Sequence, residues 1–285
     1  MLKANLLATT GVIALALAGC QVQTREAAAP GTGPYRPPRS TTKDDLIQRI
    51  HKASDSLDSF TMRANLTPSS GNPDTGIITR YATIGAYILY QHPDRLRVTG
   101  QDPVMSSTLF DMVSTGRQFR MSVPRRNRFV IGNNDAPPSS GNPLENLRPG
   151  AILAALILNP PDPESEITLL EESVKEGKPV YALLIARANG NRYRLVRSVY
   201  FDAYTLDIVG QRTFDSSGRI VGDATYSNWK DYGRTLFPSN INIKGPQDTY
   251  EVGLAVISLK VNPSDLTAQK FALEQPAGSE LQKVE

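Results

Sequence analysis

Residues 149–161 read PGAILAALILNPP, and the understanding of the whole chain turns on this segment. Pro149 stands at the first position of a helix, where proline is tolerated. Ala151-Ile152-Leu153-Ala154-Ala155-Leu156-Ile157-Leu158 follow without a polar residue, and Asn159-Pro160-Pro161 ends the helix. A helix that is apolar nearly all round is either buried on every side or covers an apolar cavity. Both readings require a large partner surface, and the flanking sequence supplies strands for it.

Upstream, a first helix is expected over Lys43–Leu57. Thr42 with Asp45 three residues on reads as a variant capping box, and Leu46, Ile50, Ala53 and Leu57 form one apolar stripe. Then Phe60, Met62, Ala64 and Leu66 alternate with Thr61, Arg63, Asn65 and Thr67, a half-buried strand. Further strands are expected at 77–90, 95–99, 108–114, 118–123 and 128–131, with Thr115-Gly116-Arg117 as a hairpin turn. Downstream of the apolar helix, strands are expected at 180–187, 193–201, 208–214, 219–231, 241–244 and 250–261. Leu254 and Val256 on one parity, and Ala255, Ile257 and Leu259 on the other, put apolar groups on both faces of the last strand. The pentapeptide SSGNP occurs at 69–73 and 139–143, as two turns of similar chemistry or as the trace of an internal repeat. The expected fold is therefore mainly β (α+β). It is an incomplete antiparallel barrel, or strongly curved sheet, wrapped around an N-terminal helix and an inserted lid helix.

The chain has 31 Lys and Arg against 28 acids, a net charge of only +3, which is no nucleic-acid balance. Its single cysteine is Cys20, so no internal disulfide is possible. Cys20 closes Leu17-Ala18-Gly19-Cys20 after an apolar stretch beginning near Lys3, too short for an ordinary spanning helix. This resembles the lipobox of bacterial lipoprotein signal peptides. The resemblance implies cleavage before Cys20, diacylglycerol on its thiol and a further acyl chain, of the palmitate kind, on the new N-terminus. The alternative is a plain secretory signal with an incidental thiol. Two or more acyl chains anchor a protein stably, at about 0.8 kcal/mol per buried CH2. Gln21, rather than Asp, follows the cysteine and leans towards the outer membrane, facing the periplasm, with the inner membrane left open.

Four regions follow: 1–19 as a lipoprotein signal peptide, 20–41 as a lipidated Pro-rich tether, 42–275 as the folded domain, and 276–285 as a flexible tail. The tether carries Pro30, Pro34, Pro37 and Pro38 and reaches roughly 60 Å at ~3 Å per residue.

Catalytic equipment is not evident. His51 and His92 lack metal-ligand spacing, and there is no G-x-S-x-G, P-loop or G-x-G-x-x-G. Glu164, Glu166, Glu171 and Glu172 read as solvated loop acids rather than an acid–base pair. The protein is expected to be no enzyme, with no metal and no cofactor. Arg117, Arg120, Arg125, Arg126 and Arg128 crowd one hairpin, and Arg187, Arg192, Arg194 and Arg197 another. They suit anionic headgroups or solubilise edge strands.

Several phrases resemble the LolA/LolB-type lipoprotein-carrier superfamily. These are His92-Pro93-Asp94-Arg95-Leu96-Arg97-Val98, the hairpin Ser114–Phe119, Asn146-Leu147-Arg148-Pro149, Tyr200-Phe201-Asp202, Asp231–Pro238, and Val261-Asn262-Pro263 with Phe271. The resemblance implies an open barrel with helices in its mouth and an apolar cavity for acyl chains. The lipobox makes the chain more similar to the anchored acceptor than to the soluble carrier. The acceptor's protruding apolar loop has its candidate at Asp102–Ser107, with Val104 and Met105 at the tip or else as ordinary strand residues. Cavity and lid candidates are Ile152, Leu153, Leu156 and Ile157, with Leu46 and Ile50 from the first helix. A packed core built from the same residues is the competing expectation. In that case the protein is a structural or assembly lipoprotein acting on an envelope protein through surface contacts.

Overall fold

The computed structural model describes residues 37–72, 77–134, 149–233, 235–245 and 249–284. Cys20, the segment expected to be a signal peptide, most of the expected tether and Asn146-Leu147-Arg148 lie outside them. In chain order the elements are α1 (Lys43–Ser54), β1 (Ser59–Asn72), β2 (Ile77–Arg80), β3 (Ile84–Gln91), β4 (Arg95–Gln101), β5 (Thr108–Thr115), β6 (Gln118–Val123) and β7 (Arg128–Asn133). There follow α2 (Pro149–Leu156), β8 (Glu166–Lys175), β9 (Lys178–Asn189), β10 (Arg192–Asp202), β11 (Ile208–Phe214), β12 (Ile220–Tyr232), β13 (Thr235–Gly245), β14 (Tyr250–Val261) and β15 (Glu280–Val284).

One curved, unclosed sheet holds every strand. It runs from β15 through β7, β6, β5, β4, β3 and β1, then across to β14, β13, β12, β11, β10, β9 and β8; β2 pairs only with β1. The β1–β14 seam joins the two ends of the domain, so two meanders spread from the centre, each built from hairpin neighbours. From Pro38 to Glu285 the chain is one compact unit.

The alternation on β1 works as expected: Phe60, Met62, Ala64 and Leu66 are buried while Arg63 and Asn65 face outward. With α1, α2 and alternate residues of the surrounding strands they form one continuous core on the sheet's concave side. The two apolar parities of β14 also find their reason. The register with β1 slips between Arg63 and Ala64, leaving Ile257 as an extra residue on β14. Such a bulge shifts the side-chain phase. Leu254 and Val256 therefore pack inward before it and Leu259 and Val261 after it, while Ile257 is left 56% exposed.

Four expectations change. The apolar run 77–90 divides into β2 and β3, and residues 68–72, read as part of a turn-rich loop, extend β1 against β2 and β14. Residues 166–175, read as loop, form the edge strand β8. Their Glu171 and Glu172 are exposed, which masks the short alternation in composition. The tail read as flexible contains β15, which pairs in parallel with β7. The segment before it is held on the sheet's other face: Phe271 and Leu266 pack on Val113, and Arg97 bridges Asp111 and the Lys270 carbonyl.

Candidate functional site

The two helices meet the sheet in different ways. α1 opens on a complete capping box: the Asp45 N–H donates to Thr42 Oγ1 (3.2 Å), and the Thr42 N–H donates to Asp45 Oδ2 (3.1 Å). The hydroxyl of Thr42 also donates to that carboxylate, and these bonds hold the Asp45 carboxyl below its ordinary range. Leu46 and Ile50 are fully buried.

α2 has no polar face of its own to satisfy its C-terminal carbonyls. The sheet does it instead. Gln211 on β11 donates from Nε2 to Ala154 O (2.6 Å), and Tyr226 on β12 donates its hydroxyl to Ala155 O (2.8 Å). Burial, with Asp223 adding to it, pushes the Tyr226 phenol far up, so it stays a donor. Gln211 Oε1 is buried without a partner.

The exit from α2 is clamped. Arg197 donates to Asn159 O and Pro160 O and to Glu166 Oε2 (3.0 Å), and Arg187 reaches Glu166 Oε1 (2.7 Å). The Glu166 side chain is only 3% exposed. Burial alone would raise its carboxyl, yet the Asp162 N–H and the two guanidinium groups hold it below the ordinary glutamate range. Glu166 is thus no solvated loop acid, although Glu164, Glu171 and Glu172 are exposed. Nothing in the local sequence distinguishes it, because its two partners come from β9 and β10.

Of the lid candidates, Leu46, Ile50, Ile152 and Leu156 belong to the continuous core, and Leu153 packs partly buried against it. Leu156 and Ile157 also line a cavity of about 220 Å³. It lies between the C-terminal end of α1, the segment leaving α2, and β12 and β13. Ala53, Leu57, Leu158, Leu236 and Pro238 contribute to its walls, together with four aromatic residues that sequence reasoning did not single out: Tyr90, Tyr226, Trp229 and Phe237. Asp55, Asp58 and His92 are exposed residues of the same lining. Among the described residues no cluster of His, Cys, Asp and Glu has metal-site composition, and no helix is long and apolar enough to cross a membrane.

Val104 and Met105 do not continue a strand. They form an exposed turn between β4 and β5, at 88% and 67% exposure. Asp102 Oδ1 accepts the N–H groups of Val104 (2.9 Å) and Met105 (3.0 Å), while Arg125 donates to Asp102 Oδ2 and Ser107 Oγ. The two backbone bonds lead the causes that hold the Asp102 carboxyl below its usual range. The arginine groups are partly consumed in such roles: Arg125 braces this turn, Arg120 binds Leu273 O, and Arg187 and Arg197 hold Glu166.

No family model matches the chain, and no curated protein matches it in sequence. Solved structures do match its fold. A LolA superfamily protein from Nitrosomonas europaea superposes with a TM-score of 0.52 at 12% identity, covering 82% of this chain and 99% of that one. A DUF1329 family protein from Desulfovibrio piger gives 0.53 at 14% identity, covering 81% and 95%. The chain has a LolA-type fold, an incomplete barrel wrapped on two helices.

Proposed function

We propose that this chain is a lipoprotein anchored through Cys20 that binds lipid or acyl chains on the concave side of its sheet, beneath α2. The observation that carries this reading is α2 itself: an all-apolar helix lying on the concave core, with polar bonds from its last turn to Gln211 and Tyr226 and a cavity at its end. Lifting α2 would expose Ile152, Leu156 and the sheet residues beneath. Acyl methylenes would replace them at about 25 cal/mol per Å² of apolar surface removed from water. The anchor would keep the domain in the periplasm close to the outer membrane, a place suited to lipid or lipoprotein traffic. The exposed Val104–Met105 tip, stiffened by Asp102 and Arg125, is the part we assign to membrane contact. No covalent chemistry is required.

Mass spectrometry of organic extracts from the purified chain, with uptake of a fluorescent fatty acid, tests this. Co-purified lipid or saturable uptake is expected; the absence of both would overturn the reading.

A second reading has its own observation. The core between helices and sheet is continuous, and the cavity of about 220 Å³ is smaller than the ~300–1,000 Å³ usual for ligand pockets. An envelope lipoprotein with a filled core would act on a protein partner through its surface. In-cell crosslinking to a stoichiometric envelope protein, without lipid uptake, is the result that selects it.

A further inference from the structure

The cavity at the end of α2 has a composition that an acyl-chain site does not need. Tyr90, Tyr226, Trp229 and Phe237 all line it, and Asp55 and Asp58 stand in the same lining. Among the described residues no lysine or arginine lines it, although the chain has more bases than acids. The C-terminal end of α1 also reaches it through Ala53, Ser54 and Asp55, bringing the negative end of the helix dipole. Asp55 Oδ1 lies 3.0 Å from His51 Nδ1, whereas Asp58 has no ion-pair partner among the described residues. The charge of Asp58 is felt at the Tyr90 ring. After burial, Asp58 and Asp94 are the causes that push the Tyr90 phenol up to about 12.

Aromatic faces attract cations through their quadrupole, and methylated ammonium groups, weakly hydrated and bulky, are the cations best held by several rings together. Carboxylates close by add Coulomb attraction without having to enter the apolar space. We propose that this cavity binds an organic ammonium group, quaternary or methylated, with its cationic centre among the four rings and its charge facing Asp55 and Asp58. The ammonium belongs either to a lipid headgroup or to a small free amine. The site is complete with α2 in place, since Leu156 and Ile157 form part of its wall, and its volume suits a headgroup-sized ligand rather than a drug-sized one.

Trp229 is the chain's only tryptophan, so its fluorescence reports on this cavity alone. The purified full chain is titrated with choline, with dihexanoyl-phosphatidylcholine and with 3,3-dimethyl-1-butanol, the neutral isostere of choline, and calorimetry is run in parallel. A saturable change with either cationic ligand is expected, and at least tenfold weaker binding of the isostere. Tighter binding of the short-chain phospholipid assigns the site to a headgroup; tighter binding of choline assigns it to a free amine. Asp58→Asn is expected to weaken the preferred ligand about threefold, and Asp55→Asn with Asp58→Asn about tenfold. The proposal fails if neither cation binds saturably, if the isostere binds equally well, or if the double variant binds as the parent does. Fatty-acid uptake by the same preparation tests the acyl reading separately, so the two failures are distinguishable.

Discussion

The two helices occupy the same concave face and are stabilised in opposite ways. α1 carries its own instructions: a capping box at Thr42 and Asp45, acids in its first turn, His51 and Lys52 in its last, and one buried stripe. α2 carries almost none beyond Pro149, and its last carbonyls are satisfied by side chains from β11 and β12. A helix that caps itself is fixed wherever it folds. A helix capped by its neighbours is fixed only while it touches them. This difference suits α1 to be permanent core and α2 to be the element that moves.

Core truncation gives the largest expected effect and the sharpest test of that contrast. Ile50→Ala in α1 is expected to cost about 2–5 kcal/mol, the range for deleting a buried aliphatic side chain. Ile152 is nearly as buried, at 3% against 0% for Ile50, yet Ile152→Ala is expected to cost less if α2 lifts as proposed, because the helix can then relax around the loss. Urea unfolding of both variants measures the difference. Equal costs would mean that α2 is as fixed as α1.

Next in size is Tyr226→Phe. It leaves the Ala155 carbonyl buried and unpaired, a penalty of about 1–3 kcal/mol. Hydrogen exchange is expected to speed up across α2 and its exit while α1 stays protected. Uniform acceleration in both helices would break the comparison.

The clamp on the exit of α2 adds a pH dependence of known sign. Glu166 has its carboxyl held below the ordinary value of 4.5. Its stabilising contribution is therefore fully present above that value and is lost as pH falls below it, through the lowered folded pKa. Exchange at residues 157–162 is expected to rise over that acid range. In Glu166→Gln the rise is expected to disappear, and the segment to exchange faster already at neutral pH.

The same contrast explains what was legible in the sequence. α1 was readable because its cap, stripe and charges are local. The existence of α2 was readable from composition, and so was the placing of strands on both sides. Some half-buried strands match to the residue, as at 118–123 and 208–214, because alternation and turn chemistry lie within a few residues, whereas β13, expected only at 241–244, begins at Thr235. What escaped depends on partners far away in sequence. Glu166 differs from Glu164 only by facing Arg187 and Arg197. β15 is a strand because β7 offers an edge. The aromatic cavity gathers Tyr90, Trp229 and Phe237 from three strands, and no local pattern unites them.

A smaller stability effect is expected at the start of α1. Thr42→Ala removes the side-chain half of the capping box and is expected to lower stability by about 1 kcal/mol. α2 should be unaffected, as thermal unfolding combined with hydrogen exchange would reveal.

The smallest effect on folding belongs to the turn between β4 and β5. Val104 and Met105 are exposed, and the bonds that shape the turn come from Asp102, Arg125 and the backbone. Replacing both with serine removes no buried contact, so stability is expected to stay within about 0.5 kcal/mol. If the tip meets the bilayer, the replacement still removes two apolar side chains from that encounter. Transfer of a fluorescent fatty acid between the lipidated protein and vesicles is then expected to slow, while uptake from solution stays the same. The opposite substitution, Asp102→Ala with Val104 and Met105 intact, releases the turn and keeps its apolar groups. Slower transfer in the serine variant alone assigns the role to apolar contact. Slower transfer in both assigns it to a tip that must also be held rigid. Unchanged transfer in both removes the turn from the functional account and leaves the proposed lifting of α2 as the step to be tested.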